Sequence, residues 1–374
     1  MVDIGLIVTG MVFILFLLLA GYYFFMKKAN AQGLLLIIFG LVFLVASLTN
    51  LLDFILPLLF LIFFISIFTQ YLRKKQLHQL IWSISLFMFF ITTLFQAIAK
   101  ISGNWNSSML QTYYVLASFQ VLLLGVGELY LLSKRNITSK NTNIAVIFIS
   151  GFFWMLFGFI YLSKTQEPVF LFIALPAILV LVYGVLDLIF AILRKEKYQV
   201  SAFQYSNFVL LFSLYMLVLA VYFTFTTPFN PGYNLSAING VQPVIDSTWD
   251  IYSVVRGFAP LFTVNGAMFI FIGSIYSYIL WQVSLKRNQG SFSFGTGIFN
   301  IYFAIGVAIF TAGGSLSQLG GGVDQILYIS ELLGGLFMYF GFLESDKISM
   351  EMILDIVTLR FLHKNYDESE IPAH

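Results

Sequence analysis

Of the 374 residues, 60% are hydrophobic and only 10% are charged, where soluble domains carry about 25% charged residues. So few charges cannot cover that much apolar surface in water, which excludes a soluble fold, and a net charge of +2 gives no basis for binding nucleic acid. The absence of cysteine excludes disulfides, thiolate metal sites and iron–sulfur clusters.

The composition therefore predicts an all-α, polytopic transmembrane helix bundle whose main partner is the lipid bilayer. The chain opens on Met1-Val2-Asp3 and then runs apolar from Ile4 to Met26. It has neither the basic start nor the small-residue cleavage site of a secretory signal, and reads as a retained first helix. A hydrocarbon core of about 30 Å takes about 20 residues of helix. Segments of that length lie at 4–26, 33–52, 54–72, 79–99, 109–133, 144–163, 169–193, 204–226, 258–282, 295–314 and 325–343, which makes eleven spans. The second and third meet in a very tight turn at Thr49 to Asp53, placed there because the combined run is about two membrane crossings long.

Basic residues set the orientation, since cytoplasmic loops are enriched in Lys and Arg. Clusters at Lys27-Lys28, Arg73-Lys74-Lys75, Lys134-Arg135, Arg194-Lys195 and Lys286-Arg287 each follow an odd-numbered span. With Lys140, Lys197, Lys347, Arg360 and Lys364 they put sixteen of the nineteen basic residues on one face, leaving Lys100, Lys164 and Arg256 on the other. This predicts an N-terminus outside and a C-terminus in the cytoplasm, in the cell membrane (the cytoplasmic membrane of a prokaryote). Residues 1–343 form the bundle and 344–374 a cytoplasmic tail. In the tail Met350, Ile353, Leu354, Val357 and Phe361 share one helical stripe, with Glu351 and Asp355 ahead of Arg360, His363 and Lys364. That pattern predicts a short amphipathic helix, lying on the inner membrane surface or packed under the bundle.

Ionisable residues inside a span cost about 2.5–3.5 kcal/mol at mid-membrane on insertion scales, so each needs a reason. Three acids qualify: Glu128 in the fifth span, Asp187 in the seventh and Glu331 in the eleventh. They serve a proton or cation relay, or only bond helices together. The intramembrane amides Gln96, Gln120, Asn207, Asn265 and Asn300 extend the polar inventory, and such amides commonly hold helices together. Asn265 stands out beside Gly266 and after Pro260, where backbone groups are freed for a ligand. Pro57, Pro176 and Pro260 fall in the outer halves of descending spans, where kinks would open an outward vestibule. Ala304, Ala308 and Ala312 form a four-residue ladder in the tenth span, with Gly306, Gly313 and Gly314; Gly334, Gly335 and Gly341 of the eleventh offer a mate. Small residues let backbones approach closely, predicting a tight helix pair or a homodimer seam.

The three histidines, His78, His363 and His374, lie in a cytoplasmic loop and in the tail by this reading, so no intramembrane haem or histidine zinc site is expected, and no cofactor. Walker, H-E-x-x-H and G-x-S-x-G motifs are absent. Asn106-Ser107-Ser108 and Asn234-Leu235-Ser236 are outer sequons, and Asn136-Ile137-Thr138 an inner one. The expectation is a transporter or translocase of a small or lipid-like solute. It would work through a cavity in the outer half, with Asp187, Glu331, Asn265 and Glu128 as binding candidates and no catalytic residues. Its rival is a non-catalytic sensor or assembly subunit, joined to other membrane subunits. A lipid-modifying enzyme is a weaker third, lacking nucleophile, metal and phosphate clamp.

Overall fold

The computed structural model describes residues 52–134, 202–230, 249, 254–289, 297–316 and 324–346, with isolated positions elsewhere. The chain is all-α, with no strand among the described residues. Seven helices are described: α1 Leu52–Lys74, α2 Leu77–Ser102, α3 Ser107–Lys134, α4 Ala202–Thr226, α5 Val254–Gln289, α6 Ile298–Leu316 and α7 Asp324–Asp346. The first five contain stretches long and apolar enough to cross a membrane. Two compact units divide the chain, one of residues 1–52 with 343–374, the other of residues 53–342. In the first unit, Phe13, Ile14, Leu17, Gly21, Ile37, Gly40 and Leu41 are helical. The second holds nearly all of the seven helices.

Local chemistry sets the helix ends. Lys75 adopts a left-handed φ of 49° and its amide returns to the Tyr71 carbonyl at 2.7 Å, closing α1. Gln76 is extended, so α2 begins after a two-residue link. The basic cluster thus extends less far as a loop than the sequence implies, and His78 is buried in the first turn of α2, edge-on to Trp82. Gly103, at φ 71°, ends α2 in the left-handed form that suits glycine at helix C-termini. Asn106 caps α3 by accepting the Ser108 amide at 2.9 Å, so the first sequon doubles as a helix cap. Pro57 lies inside α1 and Pro260 inside α5, both assigned as continuous helices.

Within the larger unit α3 is the central helix: 89% of its apolar window is buried, against 28% for α4. Glycines set its spacing from α5. A Cβ on Gly125 would lie 2.6 Å from the Gly266 carbonyl oxygen, and one on Gly266 would run into the Val121 backbone. Gly273 makes room for Glu128 and Leu132, and Gly127 for the ring of Trp82. Residues rise together along α3 and α5 in these contacts, so the two helices are parallel. Against α4 the order reverses: Tyr130 bonds Asn207, whereas Gln111 donates to the Thr224 carbonyl at 3.0 Å. The pairs Trp82–Phe303 and Phe89–Phe310 make α2 parallel to α6. Gly335 against Phe60 and Leu59, with Tyr339 and Phe342 against Phe63, makes α7 parallel to α1. The described helices therefore alternate: α1, α3, α5 and α7 run one way, α2, α4 and α6 the other. Arg73, Lys74, Lys75, Lys134, Lys286 and Arg287 lie at one end of this bundle, and Lys100 and Arg256 at the other.

The tight α6–α7 pair exists, but it runs through glycine. Cβ atoms on Gly306 and Gly334 would each lie 2.7 Å from the other's carbonyl oxygen, and Gly341 packs on Phe303 and the Phe299 backbone. Of the alanine ladder, Ala304 is buried and Ala308 is exposed, so Ala308 is not the contact that sets this spacing. The side chain of Ala312 and those of Gly313 and Gly314 lie outside the described residues. Gly306→Leu is expected to destabilise by the 1–3 kcal/mol typical of overpacking, or about that much again since backbone must move. Ala308→Leu should leave monomer melting in detergent unchanged. Equal losses for both variants would contradict the glycine contact.

Candidate functional site

The candidate site is a buried polar seam between α2 and α3. On α2 the buried residues include His78, Gln79, Ser83, Ser85, Thr92, Thr93 and Gln96, while Leu77, Ile84, Phe87, Ile98 and Ile101 are exposed. Soluble helices keep polar residues outward; here lipid takes the exposed apolar side chains, and the polar ones are buried together with Ile81, Leu86 and Phe89. The inward polar groups reach α3 one after another. Trp82 Nε1 donates to the Leu124 carbonyl at 3.0 Å and Ser85 Oγ to the Gln120 carbonyl at 2.6 Å. Thr92 Oγ1 bonds Gln120 Oε1 at 3.2 Å, and Gln96 Nε2 donates to Tyr113 Oη at 3.0 Å. Thr92 and Thr93 also bond back to the Phe89 carbonyl, which satisfies hydroxyls within the helix.

At the end remote from the basic cluster, the seam meets Glu331. This acid of α7 is 8% exposed and lies within electrostatic reach of Tyr113. Tyr113 also packs on Trp105, with ring centroids 5.2 Å apart. Gln96 Oε1 and Trp105 Nε1, both buried, find no hydrogen-bond partner. A tyrosine hydroxyl bonded to a buried amide and within electrostatic reach of an acid can hold or hand on a proton. Lys100 follows Gln96 by one turn of α2. Trp249, fully buried, packs at a tilt against both Tyr114 and Phe229.

The other predicted residues are not gathered at Glu331. Glu128 is 3% exposed and lies against Gly273 near the opposite end of α3. From Tyr113 to Glu128 is fifteen residues, roughly 22 Å of helical rise. Asn265 is wholly buried at mid-height on α5; its Nδ2 donates to the Leu261 carbonyl at 2.7 Å, and its Oδ1 has no partner. Asp187 lies outside the described residues. Sequence reasoning named Gln96 and Gln120 as separate amides and missed the serines and threonines that join them into one line. It also missed Tyr113 and Trp105. No group of histidine, aspartate and glutamate suited to a metal occurs among the described residues.

Comparison with protein-family models, with curated proteins and with solved structures finds no match to this chain.

A double-mutant cycle tests the outer end of the seam. Gln96→Leu and Tyr113→Phe should show a coupling of about 0.6 kcal/mol, the average for hydrogen bonds between membrane helices. Strictly additive effects on unfolding in detergent would show that this bond does not form.

Proposed function

We propose that the chain is an integral membrane protein of eleven spans, with N-terminus outside and C-terminus cytoplasmic, that transports a small solute. The coupling group of that transport is Glu331. The observation that carries the reading is the burial of this acid, within electrostatic reach of Tyr113, where a line of inward-facing hydroxyls and amides ends. Ionisable groups at such depth most often mark substrate or ion pathways.

The span count draws support from helix direction. α3 and α4 are antiparallel, with the end of α3 level with the start of α4. An even number of crossings must join them, and the sixth and seventh spans supply two. Ile178, Val182, Val185, Leu186 and Ile189 in the latter are helical and exposed on one apolar stripe, as a lipid-facing span requires. The orientation draws support from the basic residues gathered at one end of the alternating helices. A reporter active only in the cytoplasm should work when fused after Leu343 and stay silent within residues 227–257. The opposite pattern would reverse the orientation and exchange the two ends of the site.

The rival reading, an assembly or sensor subunit, is favoured by the glycine contacts that bring α3 to α5 and α6 to α7 at backbone distance. Such packing leaves little room for rocking, and the exposed Ala308 leaves space for a second copy or another subunit. Glu331→Gln separates the two. The amide keeps shape and hydrogen bonding but cannot exchange a proton. Difference infrared spectroscopy over roughly pH 4 to 9, a range that brackets ordinary and buried carboxyls, should give a titrating carboxyl band that Glu331→Gln removes while folding is kept. If no band titrates and the variant is as stable as the parent, the acid is helix glue and the subunit reading replaces transport.

A further inference from the structure

The seam between α2 and α6 carries a second polar feature, apart from Glu331. Parallel packing aligns Gln79, Trp82, Leu86 and Phe89 of α2 with Asn300, Phe303, Val307 and Phe310 of α6. Both sets follow the three-then-four spacing of a helix-packing seam, and the stacked Trp82–Phe303 rings and the edge-on Phe89–Phe310 rings fix the register. By that register Gln79 lies level with Asn300, one turn closer to the basic end than the Trp82–Phe303 pair. Each of the two amides is 3% exposed. Gln79 Oε1 has no hydrogen-bond partner, and neither has Asn300 Nδ2. One is an acceptor and the other a donor, yet no bond joins them.

Two complementary buried groups at one level, each unsatisfied, describe a place where a small molecule belongs. A buried polar group left without a partner costs about 1–3 kcal/mol, and water bridges such groups when the site is polar. The surroundings fit hydration from one side only. Toward the basic end the helices finish within a turn, with Gly297 at φ 81° starting α6. Toward the middle the seam is closed by Trp82 on Phe303, then Leu86 beside Val307, all buried.

We infer that water enters between α2 and α6 from the basic end, bridges Gln79 Oε1 and Asn300 Nδ2, and is stopped by the Trp82–Phe303 pair. The ligand of this site is a small neutral molecule with one donor and one acceptor to offer, water being the smallest. The amides supply no net charge, so ions gain nothing there. The inference does not depend on the transport reading, because it does not involve Glu331.

The chain contains no cysteine, so single cysteines are unique reporters. Gln79→Cys, Asn300→Cys, Leu86→Cys and Val307→Cys, each in the full chain in lipid nanodiscs, would be treated with a small water-soluble methanethiosulfonate and followed by mass spectrometry. The cysteines at 79 and 300 should label roughly tenfold or more faster than those at 86 and 307, the ratio set by local opening of a dry seam. Slow labelling at all four positions, or at either of 79 and 300, would overturn the shared site. Equal fast labelling at all four would overturn the closure at Trp82 and Phe303. Because a substitution by cysteine can itself loosen the seam, hydroxyl-radical footprinting of the unsubstituted protein gives a second readout. Trp82, bordering the water, should be oxidised well above Phe89, and equal protection of the two rings would also sink the proposal. So would a direct amide pair, seen as coupling between Gln79→Leu and Asn300→Leu with no labelling at either cysteine.

Discussion

A polar group inside hydrocarbon has no water to return to, and the described bundle is arranged around that constraint. An unsatisfied buried group costs about 1–3 kcal/mol, whereas a hydrogen bond between membrane helices returns only about 0.6 kcal/mol on average. Polar residues therefore persist inside only where partners are close at hand. α3 meets the condition by being enclosed on most of its surface, with α2 on one side and α5 on another. The inward hydroxyls of α2 reach its carbonyls and Gln120, while the glycines facing α5 bring backbone against backbone. Both contacts need short distances, and each makes the other's geometry more rigid. Apolar side chains on α2 and α4 can then face outward without penalty, since lipid is their solvent.

Much of this was legible in the sequence, because span length follows directly from bilayer thickness. The five long described helices fall on predicted spans, and the described helices alternate in direction as the predicted order requires. The glycines of the last two spans also announced a close helix pair. The alanine ladder is not what sets the spacing of that pair. Ala304, Ala308 and Ala312 share one face, and small residues at four-residue spacing look like a contact surface. Only glycine removes the Cβ, however, and a carbonyl oxygen 2.7 Å from where that atom would stand selects Gly306 over its alanine neighbours.

The polar stripe of α2 was missed for a different reason. Serine and threonine satisfy themselves on their own helix, as Thr93 does on the Phe89 carbonyl, so each is individually unremarkable in a span. The signal lay in their phase: Gln79, Ser83, Ser85, Thr92 and Gln96 recur on one side and Ile84, Phe87, Ile98 and Ile101 on the other. His78 was misplaced because a basic cluster reads as loop. The left-handed turn at Lys75 shortens that loop to two residues and draws the histidine into the helix. The electrostatic reach of Glu331 to Tyr113, itself bonded to Gln96, had no local signal, since the three residues belong to three separate helices.

The separation of Glu331 from Glu128 bears on what any transport would require. Tyr113, which Glu331 reaches electrostatically, stands roughly 22 Å along α3 from Glu128, and carboxylates at ends so far apart cannot share a proton or one bound cation. A path between them must pass the level of Gln120 and Asn265. Gln120 is bonded through Thr92 and through its own carbonyl, whereas Asn265 keeps a free acceptor oxygen at full burial. That acceptor sits one residue from the Gly266 contact that fixes α5 against α3. Movement of α5 would therefore change the surroundings of a mid-height amide oxygen that is unsatisfied among the described residues. If the glycine contact is permanent, the acids act in separate leaflets and the middle is structural. If it opens, Asn265 lies where the two halves would be joined.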